Sequence, residues 1–145
     1  MRKVFIDGQE GTTGLQLAAR LKGRGDIELI EIPELLRKDP AERAKRMNQS
    51  DLTFLCLPDA AAVEAVKLVT NEKTRLIDAS TAHRVAPGWA YGFSELSRAH
   101  RDAVAAGTRI ANPGCYATGF LAIAYPLAAL GLVSRQTRFT CHAIS

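Results

Sequence analysis

The sequence is poor in the features that mark several specialised classes of protein. Only three of its 145 residues are cysteines, and no C-x-x-C pair occurs, so neither a zinc knuckle nor a disulfide framework is indicated. The formal net charge is only +4, and no block of five like charges occurs. We therefore expect no structural metal and no nucleic-acid partner.

Long apolar runs are also missing. The most apolar stretch, residues 120–132, is shorter than a bilayer span and is interrupted by Pro126. The N-terminal run reaches Gly8 after only three apolar residues, which is unlike a signal peptide. These features predict no membrane partner and a cytoplasmic location in which the cysteines stay reduced.

The residues that are present have the balance of a globular domain, with 47% hydrophobic and 23% charged residues. Short apolar runs alternate with amphipathic patterns of helical period, and Asp39-Pro40 supplies a helix start. The strands are predicted over 3–7, 27–32, 52–57, 75–78, 109–111 and 136–144, and the helices over 13–22, 40–47, 60–69, 94–106 and 115–130. The strands are apolar throughout, as in a sheet covered on both faces, which predicts an α/β, Rossmann-like, doubly wound parallel sheet.

A glycine-rich loop follows the first predicted strand and opens the first predicted helix, with Gly8, Gly11 and Gly14 in a G-x-x-G-x-x-G pattern. A dinucleotide site needs one glycine for a sharp turn, one for close approach of a pyrophosphate and one for helix packing. The helix N-terminus offers free N–H groups and a partial positive charge to phosphates. Thr12 and Thr13 add hydroxyl groups within reach of the same phosphates.

The choice of dinucleotide is left open by the residues alone. An acidic side chain after the second strand would bind the ribose hydroxyls of NAD, and Glu31 and Glu34 are candidates. Arg37 and Lys38 follow closely, and a cation there would bind the 2′-phosphate of NADP instead.

A second informative segment places Cys115 at the first turn of an apolar helix, directly after a short strand. The helix dipole and free N–H groups at that position favour a thiolate, and the same N–H groups can hold an oxyanion. Asn112 can add a side-chain donor. Cys56 and Cys141 lie in predicted strands and are expected to be small buried hydrophobes. A thiolate beside a nicotinamide site implies a covalent acyl adduct that is reduced by hydride transfer.

Four motifs together resemble the family of N-acetyl-γ-glutamyl-phosphate reductases, in its shorter variant. They are GQEGTTGLQ at 8–16, IDASTAHRVAPGW at 77–89, YGFSEL at 91–96 and NPGCYATG at 112–119. The resemblance implies NADPH-dependent reduction of N-acetyl-glutamyl 5-phosphate to N-acetyl-glutamate 5-semialdehyde with release of phosphate. In that reaction Cys115 matches the nucleophile that forms a thioester, and the partner is a small-molecule acyl phosphate.

The resemblance and the strand ends together give a set of candidate binding residues. The glycine loop matches the NADP(H) site, and Arg37 is assigned to the 2′-phosphate. Leu57, Pro58 and Ser80 follow the carboxyl ends of strands, where open α/β sheets bind ligands. Arg84 and Asn112 are the candidates for substrate, Arg84 because a guanidinium suits an anionic group.

The resemblance also implies two domains, with a nucleotide-binding domain at 1–112 and the start of a second, substrate and dimerisation domain at 113–145. The acid–base histidine of the family lies beyond this chain, so His83 is a possible assistant, His100 is predicted on a solvated face, and His142 is not assigned. We expect weak cofactor binding and little turnover from this chain alone, and exposed apolar surface around 121–132. The complete protein is expected to be a homo-oligomer.

Three other interpretations compete with this one. An enzyme similar to aspartate-semialdehyde dehydrogenase shares the glycine loop and the nucleophilic cysteine. A non-catalytic NADP(H)-binding module would sense the cofactor or the redox state through Cys115. A cysteine hydrolase would leave the glycine loop without a purpose.

Overall fold

Six parallel strands form a sheet in the computed structural model, which describes residues 1–144. Their order across the sheet is β2-β1-β3-β4-β6-β5, and each neighbouring pair is parallel. The strands are β1 (Arg2–Asp7), β2 (Ile27–Ile30), β3 (Leu52–Leu55), β4 (Arg75–Asp78), β5 (Ala90–Tyr91) and β6 (Arg109–Ala111). The predicted α/β class and parallel sheet are confirmed.

Five helices connect or follow these strands. They are α1 (Thr12–Leu21), α2 (Pro40–Gln49), α3 (Asp59–Lys67), α4 (Arg98–Ala106) and α5 (Cys115–Ala129), with a short 3-10 turn at Glu34–Leu36. The predicted start of α2 is confirmed, since the Asp39 carboxylate accepts hydrogen bonds from the N–H groups of Ala41 and Glu42 at 2.8 and 3.0 Å. Helix α4 begins later than predicted because Ser97 is its cap and accepts from the His100 N–H at 3.3 Å.

The core lies between the sheet and helices α2 and α3. Phe5 of β1, Leu55 of β3 and Leu76 of β4 are at most 1% exposed, and Met47 of α2 and Ala65 of α3 pack against them with no exposure. Burying side chains of this size stabilises the fold by about 1.5–3 kcal/mol each relative to leaving them in water. This packing makes the sheet a firm base for the loops at its carboxyl edge.

The sheet changes direction of winding between β1 and β3. The chain runs outward from β1 to β2 and then crosses to β3 on the other side of β1. The Cys56 N–H donates to the Asp7 carbonyl at 2.8 Å and holds the ends of β1 and β3 together. In open α/β sheets a ligand binds in the crevice outside the strand ends at such a point.

Two differences from the predicted elements concern the second half of the chain. The strand predicted over 136–144 is wrong, because that segment pairs with none of the six strands and a strand needs a neighbour for its N–H and C=O groups. The segment between the strand predicted over 75–78 and the helix predicted over 94–106 contains an unpredicted strand, β5, which pairs with β6 and is continued by a hydrogen bond from the Gly92 N–H to the Ala111 carbonyl at 2.8 Å.

Helix α5 leaves much of its apolar surface in solvent. Ile123 is 68% exposed, and Leu130 and Leu132, at and just beyond its end, are 74% and 68% exposed. This confirms the exposed apolar surface expected around 121–132. Among residues 1–144, no helix combines the length and the apolar character that crossing a membrane requires.

Candidate functional site at the carboxyl edge of the sheet

The glycine loop between β1 and α1 is tightly packed at two of its three glycines. Gly8 has a φ of +84°, and a Cβ built there would lie 2.3 Å from the Cys56 carbonyl oxygen. A Cβ on Gly14 would lie 2.4 Å from the Gly8 carbonyl oxygen. Gly8 therefore makes the sharp turn, and Gly14 lets α1 lie close to the end of β1. The fold itself explains both glycines.

Gly11 differs from the other two glycines because the fold does not require it. Its backbone has a φ of −72° and caps α1, and a Cβ would find its nearest neighbour at an ordinary 3.6 Å. Within residues 1–144 no side chain caps this end of α1, and Thr12 and Thr13 are exposed beside it. The open N–H groups and the bare Gly11 form a cradle of the kind that a pyrophosphate fits.

The segment after β2 brings a cation to the glycine loop. Arg37 Nη1 lies 2.5 Å from a carboxylate oxygen of Glu10, and Nη2 lies 2.8 Å from the carboxylate of Glu34. Arg37 Nε also donates to the Glu34 carbonyl at 3.2 Å. Thus Glu34 holds Arg37, and Glu31 directly follows the end of β2. The sequence distance between Arg37 and the loop gave no indication of the Glu10 contact.

The end of β3 places Leu57 and Cys56 against the same loop. A Cβ on Gly8 would lie 3.0 Å from Leu57 Cδ2, and Pro58 caps α3. Burial, together with the carboxylates of Asp7 and Asp78, raises the pKa of the Cys56 thiol to about 11. Cys56 is half-buried rather than fully buried as predicted, and it is a neutral thiol near pH 7.

Asp7 is the last residue of β1, and a single arginine holds its carboxylate. It is 4% exposed, and Arg43 of α2 forms a two-pronged ion pair with it, with Nη2–Oδ2 at 2.7 Å and Nε–Oδ1 at 3.1 Å. Charge-assisted pairs of this geometry are stronger than neutral hydrogen bonds. The pair fixes α2 to the end of β1 beside the glycine loop.

The end of β4 carries a buried polar cluster that the sequence did not reveal. Asp78 has no exposure, and its carboxylate accepts from the Ser80 N–H at 3.0 Å and the Ser80 hydroxyl at 2.6 Å. His83 Nδ1 lies 2.5 Å from the same carboxylate, and the imidazole stacks on Trp89 with ring centroids 4.1 Å apart. An acidic residue that closes a buried apolar strand was the available signal for this cluster.

Arg84 lies against the turn that precedes Cys115. Its Nε donates to the Asn112 carbonyl at 3.1 Å, and a Cβ on Gly114 would lie 2.7 Å from Arg84 Nη1. Gly114 therefore leaves room for the guanidinium, which places a positive charge at the N-terminus of α5. Cys115 is exposed and is the first residue of α5, and no side chain caps that helix within the described chain. The predicted position of Cys115 at a helix start is confirmed.

The remaining predicted residues have structural partners of their own. The Asn112 N–H donates to the Asp78 carbonyl at 2.8 Å, and its side-chain amide donates to the Pro113 carbonyl at 3.2 Å.

His100 is half-buried, with Nδ1 2.8 Å from the Ser97 hydroxyl, so the expected solvated face is wrong for it. His142 is exposed, and Cys141 is exposed rather than buried as predicted. The exposure of Cys141 follows from the missing strand over 136–144. No group of metal-ligating side chains occurs among residues 1–144.

These features define a class of protein: a Rossmann-like α/β domain with an open glycine loop and a helix-terminal cysteine at one edge of its sheet. The model of a known family, described as "Semialdehyde dehydrogenase, NAD binding domain", matches residues 28–104. The chain belongs to this family of semialdehyde dehydrogenase NAD binding domains. The matched range lies between the glycine loop and Cys115 and contains neither.

Several curated relatives match nearly the whole chain. An N-acetyl-gamma-glutamyl-phosphate reductase 2 of Pseudomonas putida is 50% identical over 142 residues, which are 98% of this chain and 45% of the relative. An N-acetyl-gamma-glutamyl-phosphate reductase of Mesorhizobium japonicum is 52% identical over 143 residues, which are 99% of this chain and 46% of the relative. The chain therefore spans just under half the length of these relatives.

Two solved structures share the fold. An aspartate semialdehyde dehydrogenase from Francisella tularensis superposes with a TM-score of 0.56 at 17% identity, covering 77% of this chain and 36% of that one. Aspartate semialdehyde dehydrogenase II from Vibrio cholerae gives a TM-score of 0.59 at 13% identity, covering 89% and 47%. At these identities the similarity shows the fold alone.

Proposed function

We propose that this chain is the cofactor-binding and nucleophile-bearing part of an NADP(H)-dependent reductase that converts N-acetyl-glutamyl 5-phosphate to N-acetyl-glutamate 5-semialdehyde. The observation that carries the proposal is the arrangement around Cys115. An exposed thiol begins an uncapped helix, and the Arg84 guanidinium lies against the preceding Gly114. Relatives that are named as reductases of this substrate, and that are 50% and 52% identical to nearly all of the chain, support the same substrate.

Cys115 supplies the covalent step. Its thiolate attacks the acyl carbon, the carbon–sulfur bond forms, and the carbon–oxygen bond to phosphate breaks, so phosphate leaves with the bonding electrons. The N–H groups at the start of α5 and the Arg84 guanidinium stabilise the oxyanion and the departing phosphate. NADPH, held by the glycine loop, would supply the hydride that reduces the thioester, and a proton from solvent would complete the thiohemiacetal. The resulting thiohemiacetal then releases the aldehyde and restores the thiol.

The residues of the glycine loop suit the cofactor. Gly8 and Gly14 shape the loop, the bare Gly11 admits the pyrophosphate, and Thr12 and Thr13 lie beside it. Arg37, which already lies against a carboxylate of this loop, is assigned to the 2′-phosphate. The edge of the site is completed by three residues at strand ends, Leu57, Pro58 and Ser80.

Arg84 and Asn112 are assigned to the substrate side of the site. The Arg84 guanidinium contacts the turn before Cys115, and an acyl phosphate is anionic. Residues 113–145 are assigned to a second domain that follows the nucleotide-binding domain of 1–112. The exposed apolar side chains of α5 support burial within that second domain or against a second subunit in a homo-oligomer. Three free cysteines support a reducing, cytoplasmic location.

One alternative assignment differs in the substrate. An enzyme similar to aspartate-semialdehyde dehydrogenase, with aspartyl phosphate as the acyl donor, would use the same glycine loop and the same nucleophilic cysteine. The NPGCYATG segment around Cys115 resembles the N-acetylglutamyl enzymes more closely. The two substrates differ in the acetyl group on the amino nitrogen and in one methylene of the side chain, so direct competition between them distinguishes the two activities.

The proposal is tested by mixing the chain with excess N-acetyl-glutamyl 5-phosphate and measuring phosphate release in the first turnover. We expect a burst of up to one equivalent of phosphate, which aspartyl phosphate does not reproduce and which Cys115→Ser abolishes. Cys141→Ser is the matched control and should keep the burst. A burst with aspartyl phosphate alone would establish the alternative substrate. No burst with either acyl phosphate would contradict the enzyme assignment and favour a binding module.

A further inference from the structure

The chemistry above makes no use of one cluster at the carboxyl edge of the sheet, formed by Asp78, His83 and Trp89. Asp78 has no exposure and His83 is only 8% exposed. A buried carboxylate only accepts hydrogen bonds, so the His83 ring donates to it from Nδ1 across 2.5 Å. One face of the imidazole is stacked on Trp89, whose side chain packs against the core. The ring is therefore held on two sides.

The residue after His83 is Arg84, and its guanidinium makes three contacts at or near the turn before Cys115. Arg84 Nε donates to the Asn112 carbonyl at 3.1 Å, Nη2 donates to the Ala79 carbonyl at 3.4 Å, and Nη1 lies over Gly114. The same Asp78 that binds His83 accepts the Asn112 N–H at its carbonyl, at 2.8 Å. Asp78 thus holds both the loop that carries Arg84 and the turn that receives it.

The loop has little regular structure to keep Arg84 in place without these contacts. Between Asp78 and β5 the chain forms only successive turns, with Arg84 N–H to Thr81 carbonyl at 3.4 Å and Ala86 N–H to His83 carbonyl at 3.2 Å. An arginine side chain loses considerable rotamer entropy when it is fixed, so its backbone must be held if the guanidinium is to stay over Gly114.

We propose that Asp78 and His83 are positioning residues that hold Arg84 against the N-terminus of α5 and thereby sustain the reactivity of the Cys115 thiolate. The inference rests on the proposed role of Cys115 as a nucleophile. We assign His83 no contact with the sulfur or with the reacting carbon. Its role is to hold in place the loop that contains Arg84.

The test measures alkylation of Cys115 by iodoacetamide across pH 6–10, read by peptide mass spectrometry, so no substrate or cofactor is needed. Arg84→Gln removes the cation and should slow alkylation at pH 7 roughly three- to tenfold, because a nearby positive charge favours the thiolate. His83→Phe keeps a ring against Trp89 but removes the bond to Asp78, and it should slow alkylation to a similar degree. The two changes together should be no slower than Arg84→Gln alone, since they act through one contact.

Two further variants separate positioning from a purely structural role. His83→Asn retains a side-chain donor to Asp78 and should restore alkylation to within about twofold of the original rate. Asp78→Asn removes the negative charge of the pair and turns an amide N–H toward either the Ser80 N–H or the His83 ring, which weakens the cluster; it replaces His83→Phe if that variant does not fold. In the unchanged protein, the Arg84 Nε–H should exchange with solvent more slowly than those of exposed arginines.

The outcomes are distinct. Folded His83→Phe or Asp78→Asn with an unchanged Cys115 pH–rate profile would overturn the inference, as would fully additive effects or a freely exchanging Arg84 Nε–H. If the acyl phosphates give no phosphate burst and yet the pair controls alkylation, the proposed function fails and the positioning role stands.

Discussion

Two cysteines lie at the same edge of the sheet, and their surroundings are opposite in charge. Cys56 follows β3 between the carboxylates of Asp7 and Asp78, which with burial raise the pKa of its thiol to about 11. Cys115 begins α5 in solvent, with the Arg84 guanidinium against the preceding glycine. The residue type is the same in both places. The charge and the backbone around each sulfur decide which one is suited to be a nucleophile.

The two surroundings also use glycine differently. At Gly8 a larger residue is excluded by the backbone, since the Cys56 carbonyl occupies the space that a Cβ would need. At Gly114 a larger residue is opposed by a side chain, because the far end of Arg84 occupies that space. On the Cys56 side of the edge the backbone is closely packed, whereas on the Cys115 side a glycine leaves room for a charged side chain. The same substitution at each glycine separates these two purposes.

The largest effect is expected for Gly8→Ala. The positive φ and the 2.3 Å approach to a carbonyl oxygen together should lower the free energy of unfolding by about 3 kcal/mol or more. Urea denaturation followed by circular dichroism measures this change. Gly11→Ala is the matched control and should stay within about 0.5 kcal/mol, because its Cβ meets only ordinary contacts. Equal losses for the two variants would show that the loop is not packed as described.

The next effect is the difference in reactivity between the thiols. With a pKa of about 11 against an ordinary value of 9.0, Cys56 should react with iodoacetamide at pH 8 about 100-fold more slowly than an exposed thiol such as Cys141. Peptide mass spectrometry at successive times measures each rate in one sample. The rate at Cys56 should rise continuously up to about pH 11. Rapid alkylation of Cys56 in the folded protein at pH 8 would contradict its assignment as a half-buried neutral thiol.

A smaller effect is expected for Gly114→Ala. The new methyl group would lie 2.7 Å from Arg84 Nη1, and this flexible side chain can move aside. Stability should therefore fall by less than about 1 kcal/mol, while Cys115 alkylation at pH 7 should slow roughly threefold as the guanidinium leaves. Gly119→Ala, at a site on α5 with nothing within 4 Å, is the control and should leave the alkylation rate unchanged. A large loss of stability at Gly114 with no change in rate would reverse the comparison.

The smallest effect concerns the hydrogen bonds that join α3 to the loop between β4 and β5, which contains Arg84. The hydroxyl and the N–H of Thr81 donate to the Asp59 carboxylate and hold the pKa of that carboxyl below its usual value. A carboxyl group with a depressed folded pKa contributes stability above its unfolded pKa of about 3.8, and this contribution is lost as the pH falls through the folded pKa. Thr81→Val should therefore make the free energy of unfolding slightly less sensitive to acid between pH 5 and pH 2, both approximate limits.

The measurement for this last variant is urea denaturation at a series of pH values. Thr81→Ser keeps the hydroxyl group and should behave as the unchanged protein does. An acid profile that is identical in Thr81→Val and the unchanged protein would remove Asp59 from the anchors of the loop.

The sequence predicted the parts of the fold that depend on local pattern. Apolar strands alternating with helices gave the parallel sheet, Asp39 and Pro40 gave the start of α2, and the N-P-G-C order gave a cysteine at a helix start. Each of these follows from residues that are neighbours along the chain. The glycine spacing likewise indicated a turn and a close helix, which Gly8 and Gly14 provide.

The contacts that the sequence did not predict join residues through the fold. Arg84 meets Gly114, and Arg37 meets Glu10, only because strand ends from different parts of the chain share one edge. The Asp78–His83 pair depends on the turns of the loop that follows β4. Conversely, the apolar residues of 136–144 satisfy a strand pattern, but pattern alone does not supply a neighbouring strand.

The most direct test of the account asks which sulfur carries the acyl group. The chain is mixed with N-acetyl-glutamyl 5-phosphate without cofactor, quenched in acid to preserve thioesters, digested and analysed by mass spectrometry. We expect the N-acetylglutamyl group on the peptide containing Cys115 and none on the peptides containing Cys56 or Cys141. An acyl group on Cys56, or an unmodified Cys115 in a protein whose Cys115 still reacts with iodoacetamide, would contradict it.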